Sequence, residues 1–366
     1  MNNRLKRMTE WLKEKNINAA FITSTPNVFY LSGFYSDPHE RLLGLLLFPD
    51  AEPILVLPAM EKQQAKNAGW DYPMIGYSDI DDPWQLIKDR LDRQNIRPGV
   101  LAVEKSHMTV ERYEHAAAAF GNPDLVSAEG KLQQLRLIKD EQETAVLREA
   151  AKLADYGVEV GTAAIKEGVT EMEILARIEY ELKKQGIREM SFSTIVLTGE
   201  NTAAPHGNPG KNRVKKGDLV LFDLGVVLDG YCSDITRTVA VGDVSAKQRE
   251  IYETVLRAQE EAVRICRPGT TIGDLDKTAR SIITEAGYGD YFTHRIGHGL
   301  GIEVHEFPSL NEKNTGILEN GMALTIEPGI YLPGTGGVRI EDDIVITANG
   351  ADILTQYPKE LQIVKG

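Results

Sequence analysis

Residues 218–239 read DLVLFDLGVVLDGYCSDITRTV. Two apolar, β-branched runs flank Asp229-Gly230, and Asp-Gly between alternating runs is a strong signal for a two-residue hairpin turn. That turn sets Asp234 opposite Gly225 and diagonal to Asp223 on the same face. Diagonal neighbours lie about 7–8 Å apart at the backbone, close enough for two carboxylates to converge. Inside a hairpin rich in Val, Leu and Phe, two carboxylates are costly unless a cation joins them. The alternative is that one or both point to solvent from a half-exposed sheet.

The hairpin lies in a C-terminal region, residues 130–366, whose helical patterns run over 170–186, 246–266 and 271–287. FSTIVLTG (192–199), MALTIEPGIYLP (322–333) and GVRIEDDIVIT (337–347) are strand-like. Strands adjacent in sequence and flanked by helices predict an α+β domain, an antiparallel sheet with helices on one side. Residues 1–125 differ. INAAFIT, RLLGLLLF, EPILVLP and GVLAVE alternate with helical segments such as DPWQLIKDRLDRQ and TVERYEHAAAAF, predicting an α/β domain. The boundary is expected within 122–135, where GNPD precedes a helical stretch with no breaker until Gly157.

At 366 residues the chain exceeds one typical core, in keeping with two domains. A net charge of −13 offers no broad cationic field and excludes a nucleic-acid partner. Cys232 and Cys266, the only cysteines, exclude a disulfide framework and fit a reducing compartment. The N-terminal MNNRLKRMTEWLKEKN lacks an apolar signal core, and no run approaches the ~18 apolar residues of a membrane span. A cytoplasmic location without membrane attachment is expected.

Further acids recur in apolar strands. Glu327 ends one just before Pro328-Gly329, and Glu341 shares a strand face with Arg339 by period-two alternation. HRIGHGLGIEVHE (294–306) gathers His294, His298 and His305 among closely spaced glycines, the texture of a loop pressed against something. Four acids and His298 form an oxygen-rich set with one imidazole, suited to two divalent ions bridged by carboxylates and water.

In order and local wording, Asp223, Asp234, His298, Glu327 and Glu341 resemble the metal site of the pita-bread metallopeptidases, the group of methionine aminopeptidase, aminopeptidase P and prolidase. LRLIKDEQE, PHGNPG, GHGLGIEVHE and TIEPGIY match too. The resemblance implies Asp223 and Glu327 on opposite metals, Asp234 and Glu341 as bridges, and His298 on one metal. Carboxylates suit Mn²⁺, the expected ion, and the single imidazole leaves Zn²⁺, Co²⁺ or Fe²⁺ as alternatives; a homodimer is expected. The resemblance further implies that His206 and His305 stabilise the tetrahedral intermediate, that His294 lines the pocket, and that Glu327 shuttles a proton. Arg339 is expected near the reacting groups or as a salt bridge to Glu341.

The N-terminal domain separates the chain from most methionine aminopeptidases, and the complete ligand set separates it from creatinase. GFYSDPHERLLGLLLFPDAEPILVLPAMEKQQAK (33–66) and GYSDIDDPW (76–84) resemble the bacterial Xaa-Pro dipeptidases. The implied activity is hydrolysis of Xaa-Pro dipeptides by a metal-bridging hydroxide; the alternative is aminopeptidase P action on longer Xaa-Pro peptides. In DPHER, Asp37 and His39 are read as a lid over a small substrate, or as a solvated turn. Some prolidases place a carboxylate-binding arginine shortly after the second histidine, but this chain has FPSLNEK there, leaving Arg295 or Arg339 for that task. PGTGG (333–337) lacks the Lys-Ser or Lys-Thr and the helix of a nucleotide loop.

Overall fold

Short apolar segments fix the strands of the N-terminal half. In the computed structural model, which describes residues 3–365, these are β1 (Ala19–Ile22), β2 (Gly44–Leu47), β3 (Ile54–Pro58), β4 (Met74–Tyr77), β5 (Val100–Val103) and β6 (Asp124–Ser127). They form one mixed sheet in the order β4-β3-β2-β1-β5-β6, with β1, β2 and β3 antiparallel in sequence and the outer pairs parallel. Helices α1 (Asn3–Glu14), α2 (Thr25–Ser32), α3 (Lys62–Asn67), α4 (Pro83–Arg93), α5 (Val110–Phe120) and α6 (Glu129–Leu137) complete this part. Ile87 and Leu91 of α4 and Ala116 and Phe120 of α5 pack on Phe21, Leu46, Val56 and Leu101. The α/β expectation holds. It omitted β4, β6 and α2, because β4 and β6 are only partly buried and lack the apolar runs that mark β1, β2, β3 and β5, and an eight-residue helix without a polar face gives little periodic signal.

The chain divides into compact units at residues 136 and 137. The long helical stretch expected from residue 131 is two helices, α6 and α7 (Glu141–Ala163). Asp140 breaks it: its side chain accepts from Glu143 N–H while Glu143 returns a bond to Asp140 N–H, a capping box that starts α7 afresh. Gly157, the expected breaker, lies inside α7. A Cβ there would stand 2.9 Å from Leu224 Cδ1, so the glycine admits the sheet rather than ending the helix.

The C-terminal unit adds α8 (Glu171–Lys184), α9 (Ala246–Arg264) and α10 (Ile272–Glu285), with α8 and α9 opened by capping boxes at Thr170 and Ser245. Its strands are β7 (Glu189–Met190), β8 (Ile195–Thr198), β9 (Leu219–Leu224), β10 (Val226–Leu228), β11 (Tyr231–Cys232), β12 (Ile235–Val241), β13 (Gly297–Gly299), β14 (Glu306–Leu310), β15 (Ala323–Ile326), β16 (Gly329–Leu332), β17 (Gly336–Arg339), β18 (Asp342–Thr347), β19 (Gly350–Ile353) and β20 (Ile363–Val364). Instead of the single sheet expected, the described residues form several: β20-β12-β9-β8, β14-β13-β15-β18-β19, β11-β10-β7 and β16-β17. One core packs α7 and α8 against β8, β9 and β12; the other packs α9 and α10 against β15 to β18.

The hairpin register is the one its turn requires. Ile235 pairs with Leu224 and Val227 with Cys232, which places Asp234 opposite Gly225. Asp229 takes φ +47 and Gly230 φ +82, the double positive-φ turn. Gly225 faces the Ser233 carbonyl so closely that a Cβ would stand 1.8 Å from its oxygen. Gly225→Ala is therefore expected to destabilise by about 1–3 kcal/mol, the range for forcing atoms into filled space, while Asp229→Asn at the turn stays within about 0.5 kcal/mol. Chemical denaturation of the two variants beside wild type measures both, and equal midpoints would contradict the packing.

Candidate metal centre

The acids singled out in the sequence sit in or beside breaks between strands. Asp223 is near the end of β9, Asp234 lies between β11 and β12, Glu327 between β15 and β16, and Glu341 between β17 and β18. Long apolar runs that read as single strands thus change sheets at an acid. His298 is held differently. Its glycine-flanked segment is strand β13 rather than a loop, between β14 and β15. A Cβ on Gly297 would lie 2.0 Å from Thr325 O, and one on Gly299 2.3 Å from Phe307 O, so only glycine allows both neighbours to close on His298.

The ten candidates from this unit, His206, Asp223, Asp234, His294, Arg295, His298, His305, Glu327, Arg339 and Glu341, line one cavity of about 490 Å³. Phe192, Ser193, Ile195, Pro205 and Val304 complete its wall. Ligand atoms of Asp234, His298 and Glu341 lie within 4.8 Å of one another, and all three residues are buried. His298 Nε2 is 3.4 Å from Glu327 Oε1 and 3.8 Å from Asp234 Oδ2. Its Nδ1–H donates to Gly299 O at 3.0 Å, leaving the Nε2 lone pair facing the acids. Burial holds the imidazole down at about 3, so it is neutral and able to ligate at pH 7.

Burial and the mutual repulsion of Glu341, Asp223 and Asp343 raise Asp234 well above its ordinary value, and Glu341 is raised by burial and by Glu327 and Asp223. Glu327 is pushed up to about 8 by burial, against the pull of Arg339. Asp234 Oδ1 and Glu341 Oε1 are buried without a hydrogen-bond partner. An orphaned buried carboxylate oxygen costs several kcal/mol of lost solvation, of order 1–3 even for neutral groups. Together with a neutral imidazole, these orphaned oxygens are the donor set a divalent cation satisfies, so the residues fit such an ion.

Arg339 is saturated. It pairs with Asp223, donates through Nε to Thr236 Oγ1 at 3.0 Å, and through Nη1 to Tyr331 Oη at 2.8 Å and Pro205 O at 3.3 Å. The expected salt bridge to Glu341 is absent. Thr236 mediates instead, its hydroxyl donating to Glu341 Oε2 at 2.7 Å. Tyr331 Oη lies 2.8 Å from His294 Nε2, and His294 Nδ1 lies 2.8 Å from Arg295 O, so both imidazole nitrogens are engaged within the protein. Burial lowers His294 to about 4 and keeps it neutral. Burial, then Arg295 and His206, lower His305, whose ring stands edge-on to His298 at 4.3 Å. Arg295 borders the cavity and donates one bond, to Ser309 Oγ at 3.1 Å.

Asp37 and His39 belong to the N-terminal unit. Both are exposed; His39 has φ +55 and stands 3.5 Å from Asp37, while Arg41 pairs with Asp79. The sequence reading missed Thr236, Tyr331 and Asp343. Tyr331 closes the quoted TIEPGIY, but its contact with Arg339 was not legible. Asp343 Oδ2 accepts from Asp234 N–H at 2.8 Å. Alternation supplied a signal: Glu341 and Asp343 face the site, whereas Asp342 points away to Arg237 and Lys359, each at 2.8 Å, which keep it below the ordinary value despite burial.

Residues 145–348 match the model of metallopeptidase family M24, and residues 4–138 that of the creatinase/prolidase N-terminal domain. A Bacillus subtilis (strain 168) protein named "Putative dipeptidase YkvY" is 59% identical over 99% of this chain and all of its own. The prolidase from Pyrococcus horikoshii OT3 superposes with a TM-score of 0.91 at 37% identity, covering 98% of this chain and 100% of its own. The X-Pro aminopeptidase from Thermotoga maritima MSB8 superposes with a TM-score of 0.89 at 32% identity, covering 99% and 100%.

The raised carboxyls carry a sign. Glu327 ionises near its ordinary 4.5 when unfolded and near 8 when folded, so the folded state holds the extra proton between those values. Stability of the metal-free protein therefore falls as pH rises through that window. Below about pH 6.5 the buried imidazoles His294 and His298, lowered to about 4 and about 3, oppose this slope, so melting temperatures of the chelated protein are expected to drop from about pH 6.5 to about pH 8, with added divalent ion removing the slope. A flat profile without metal would show that the carboxyls are not held protonated.

Proposed function

The chain belongs to metallopeptidase family M24, with a creatinase/prolidase N-terminal domain, and on that premise we propose that it hydrolyses Xaa-Pro dipeptides and releases free proline. Asp223, Asp234, His298, Glu327 and Glu341 would hold two divalent ions, with the orphaned oxygens of Asp234 and Glu341 among their donors. Bound there, such ions lower the pKa of an attacking water and polarise the scissile carbonyl. A homodimer, a cytoplasmic location and Mn²⁺ as the native metal go with this reading.

The protein's own groups then have separable tasks. His206 and His305 border the cavity and donate N–H bonds to the oxygen that becomes negative at the carbonyl. His305, kept neutral, retains one N–H for that purpose. With divalent ions bound the Glu327 carboxyl would be ionised, and it would take a proton from the attacking water and pass it to the leaving prolyl nitrogen. That nitrogen carries no hydrogen in the peptide, and the ring fixes φ, which is why peptidases that read an N–H at this position fit the bond poorly.

The observation that carries the dipeptide reading is the contrast between the two arginines. Arg339 has every nitrogen engaged, whereas Arg295 donates one bond to Ser309 and keeps the rest of its fork at the cavity wall. A free guanidinium edge grips a carboxylate bidentately, as the C-terminus of an Xaa-Pro dipeptide requires. Likeness to the Pyrococcus prolidase supports this reading; likeness to the Thermotoga X-Pro aminopeptidase supports removal of the first residue from longer peptides.

Two experiments test the proposal. Asp234→Asn and Glu341→Gln are expected to lose stoichiometric divalent ion by elemental analysis, and turnover with it, while circular dichroism is unchanged; near-normal turnover in a metal-loaded variant would end the two-ion assignment. Wild type is expected to prefer Ala-Pro to Ala-Pro-Ala, and Arg295→Ala to raise the dipeptide KM by roughly tenfold or more with a smaller change in kcat. A preference for the tripeptide, unaffected by Arg295, would favour the aminopeptidase.

A further inference from the structure

Residues 198–212 form the loop that carries His206, and its tip has few anchors. From Pro205 to Pro209 the described hydrogen bonds are the turn bond from Gly207 N–H to Ala204 O and the bond from Arg339 to Pro205 O. The base is different. Thr198 N–H donates to Glu171 Oε1 at 2.8 Å and Asn201 Nδ2 to the same oxygen at 2.9 Å. From the other end, Gly210 N–H donates to Glu171 Oε2 at 2.8 Å, and Asn212 Nδ2 reaches both oxygens at 3.3 and 3.4 Å. One fully buried carboxylate, in the first turn of α8, thus collects donors from both ends of the loop. The backbone follows it: Glu171 N–H donates to Asn212 O at 3.1 Å and Met172 N–H to Gly210 O at 3.3 Å.

Four converging donors around one buried acid exceed what fastening α8 requires, since Thr170 and Glu173 already cap that helix. A carboxylate accepts only, and each of its oxygens takes more than one bond. It therefore ties separate N–H groups together where a glutamine would turn its own N–H₂ on to one of them. Helix N-terminal position favours the negative charge.

We propose that Glu171 is a positioning residue for hydrolysis: its carboxylate closes the 198–212 loop and so sets His206 for donation to the reacting carbonyl oxygen. The inference rests on the role given to His206 above. Glu171 does not line the cavity, and its effect passes through the loop alone. A hydrogen bond that forms in the transition state is sensitive to displacement, so misplacing His206 lowers kcat while leaving the metal ligands in place.

The test is a double-mutant cycle between Glu171→Gln and His206→Ala, assayed on whichever of Ala-Pro and Ala-Pro-Ala the native enzyme turns over faster. Glu171→Gln is expected to lower kcat by roughly tenfold, and by no more than His206→Ala does, with KM within about twofold and metal content unchanged. In the His206→Ala background the same change is expected to have no further effect on kcat, because its route has been removed. A merely structural role gives effects that multiply, and that result overturns the proposal, as does an unchanged kcat in Glu171→Gln. If Glu171→Gln fails to fold, Asn201→Ala removes one donor and leaves the carboxylate; about threefold lower kcat, vanishing in the His206→Ala background, supports the proposal, and a persisting loss overturns it. Unchanged kcat in His206→Ala alone instead removes the role of His206, and the inference falls with it.

Discussion

Four carboxylates converge in the interior of the C-terminal unit with one guanidinium among them, and that excess of buried negative charge governs the site. Arg339 is committed to Asp223. Asp234, Glu327 and Glu341 form no ion pair with an arginine or lysine among the described residues, and burial drives all three towards the protonated form, for Glu327 against the pull of Arg339 and Arg295. The contrast with Asp342 is instructive. It is as deeply buried as its neighbours, yet Arg237, Lys359, Gln259 and Thr355 surround it and hold it ionised, below its ordinary value. Adjacent residues in one strand thus have opposite electrostatic fates. A fold that can neutralise Asp342 so completely leaves Glu341 and Asp343 each with an orphaned oxygen, and Glu341 together with Asp234 offers such oxygens to a metal ion.

Convergence is achieved by interrupting strands. An unbroken strand turns alternate side chains to opposite faces and keeps them within one sheet. Here each run changes sheet at or beside its acid, and the four carboxylates line one cavity. Glycine at 225, 297 and 299 lets neighbouring backbones close to distances that any Cβ would prevent. The precision of the site therefore comes from backbone packing, and the hydroxyl of Thr236 and phenol of Tyr331 fix the side chains that remain.

Much of this was legible in the chain because its signals were local. Asp229-Gly230 alone set Asp234 opposite Gly225 and diagonal to Asp223, and period-two alternation put Arg339 and Glu341 on one side. The break between β15 and β16 was marked by Pro328-Gly329 after Glu327, but the one between β17 and β18 was less legible, since GVRIEDDIVIT has no Gly or Pro at Glu341 to show where pairing partners change. The helix break at Asp140 was visible in principle, because Asp and Glu three residues apart are a capping box, but the helical pattern on both sides masked it. Partners remote in sequence were beyond reach: Arg339 meets Thr236 across 103 residues, and Thr236 meets Glu341 across 105. No periodicity connects such positions.

The polar network also explains how one cavity can hold two arginines with different chemistry. Tyr331 receives a bond from Arg339 and stands between it and His294, while His294 turns its other nitrogen to the Arg295 carbonyl. The first arginine is thereby fixed against the acids as part of the scaffold. Arg295 is held by its own carbonyl and by a single guanidinium bond to Ser309, so the rest of its fork remains at the wall where an anion can meet it. Charge already spent inside the protein cannot be spent on a ligand, and the hydrogen-bond count of each guanidinium tells which is which. A lysine in place of Arg295 would keep the charge but lose the planar fork, and with it the geometric match to a carboxylate.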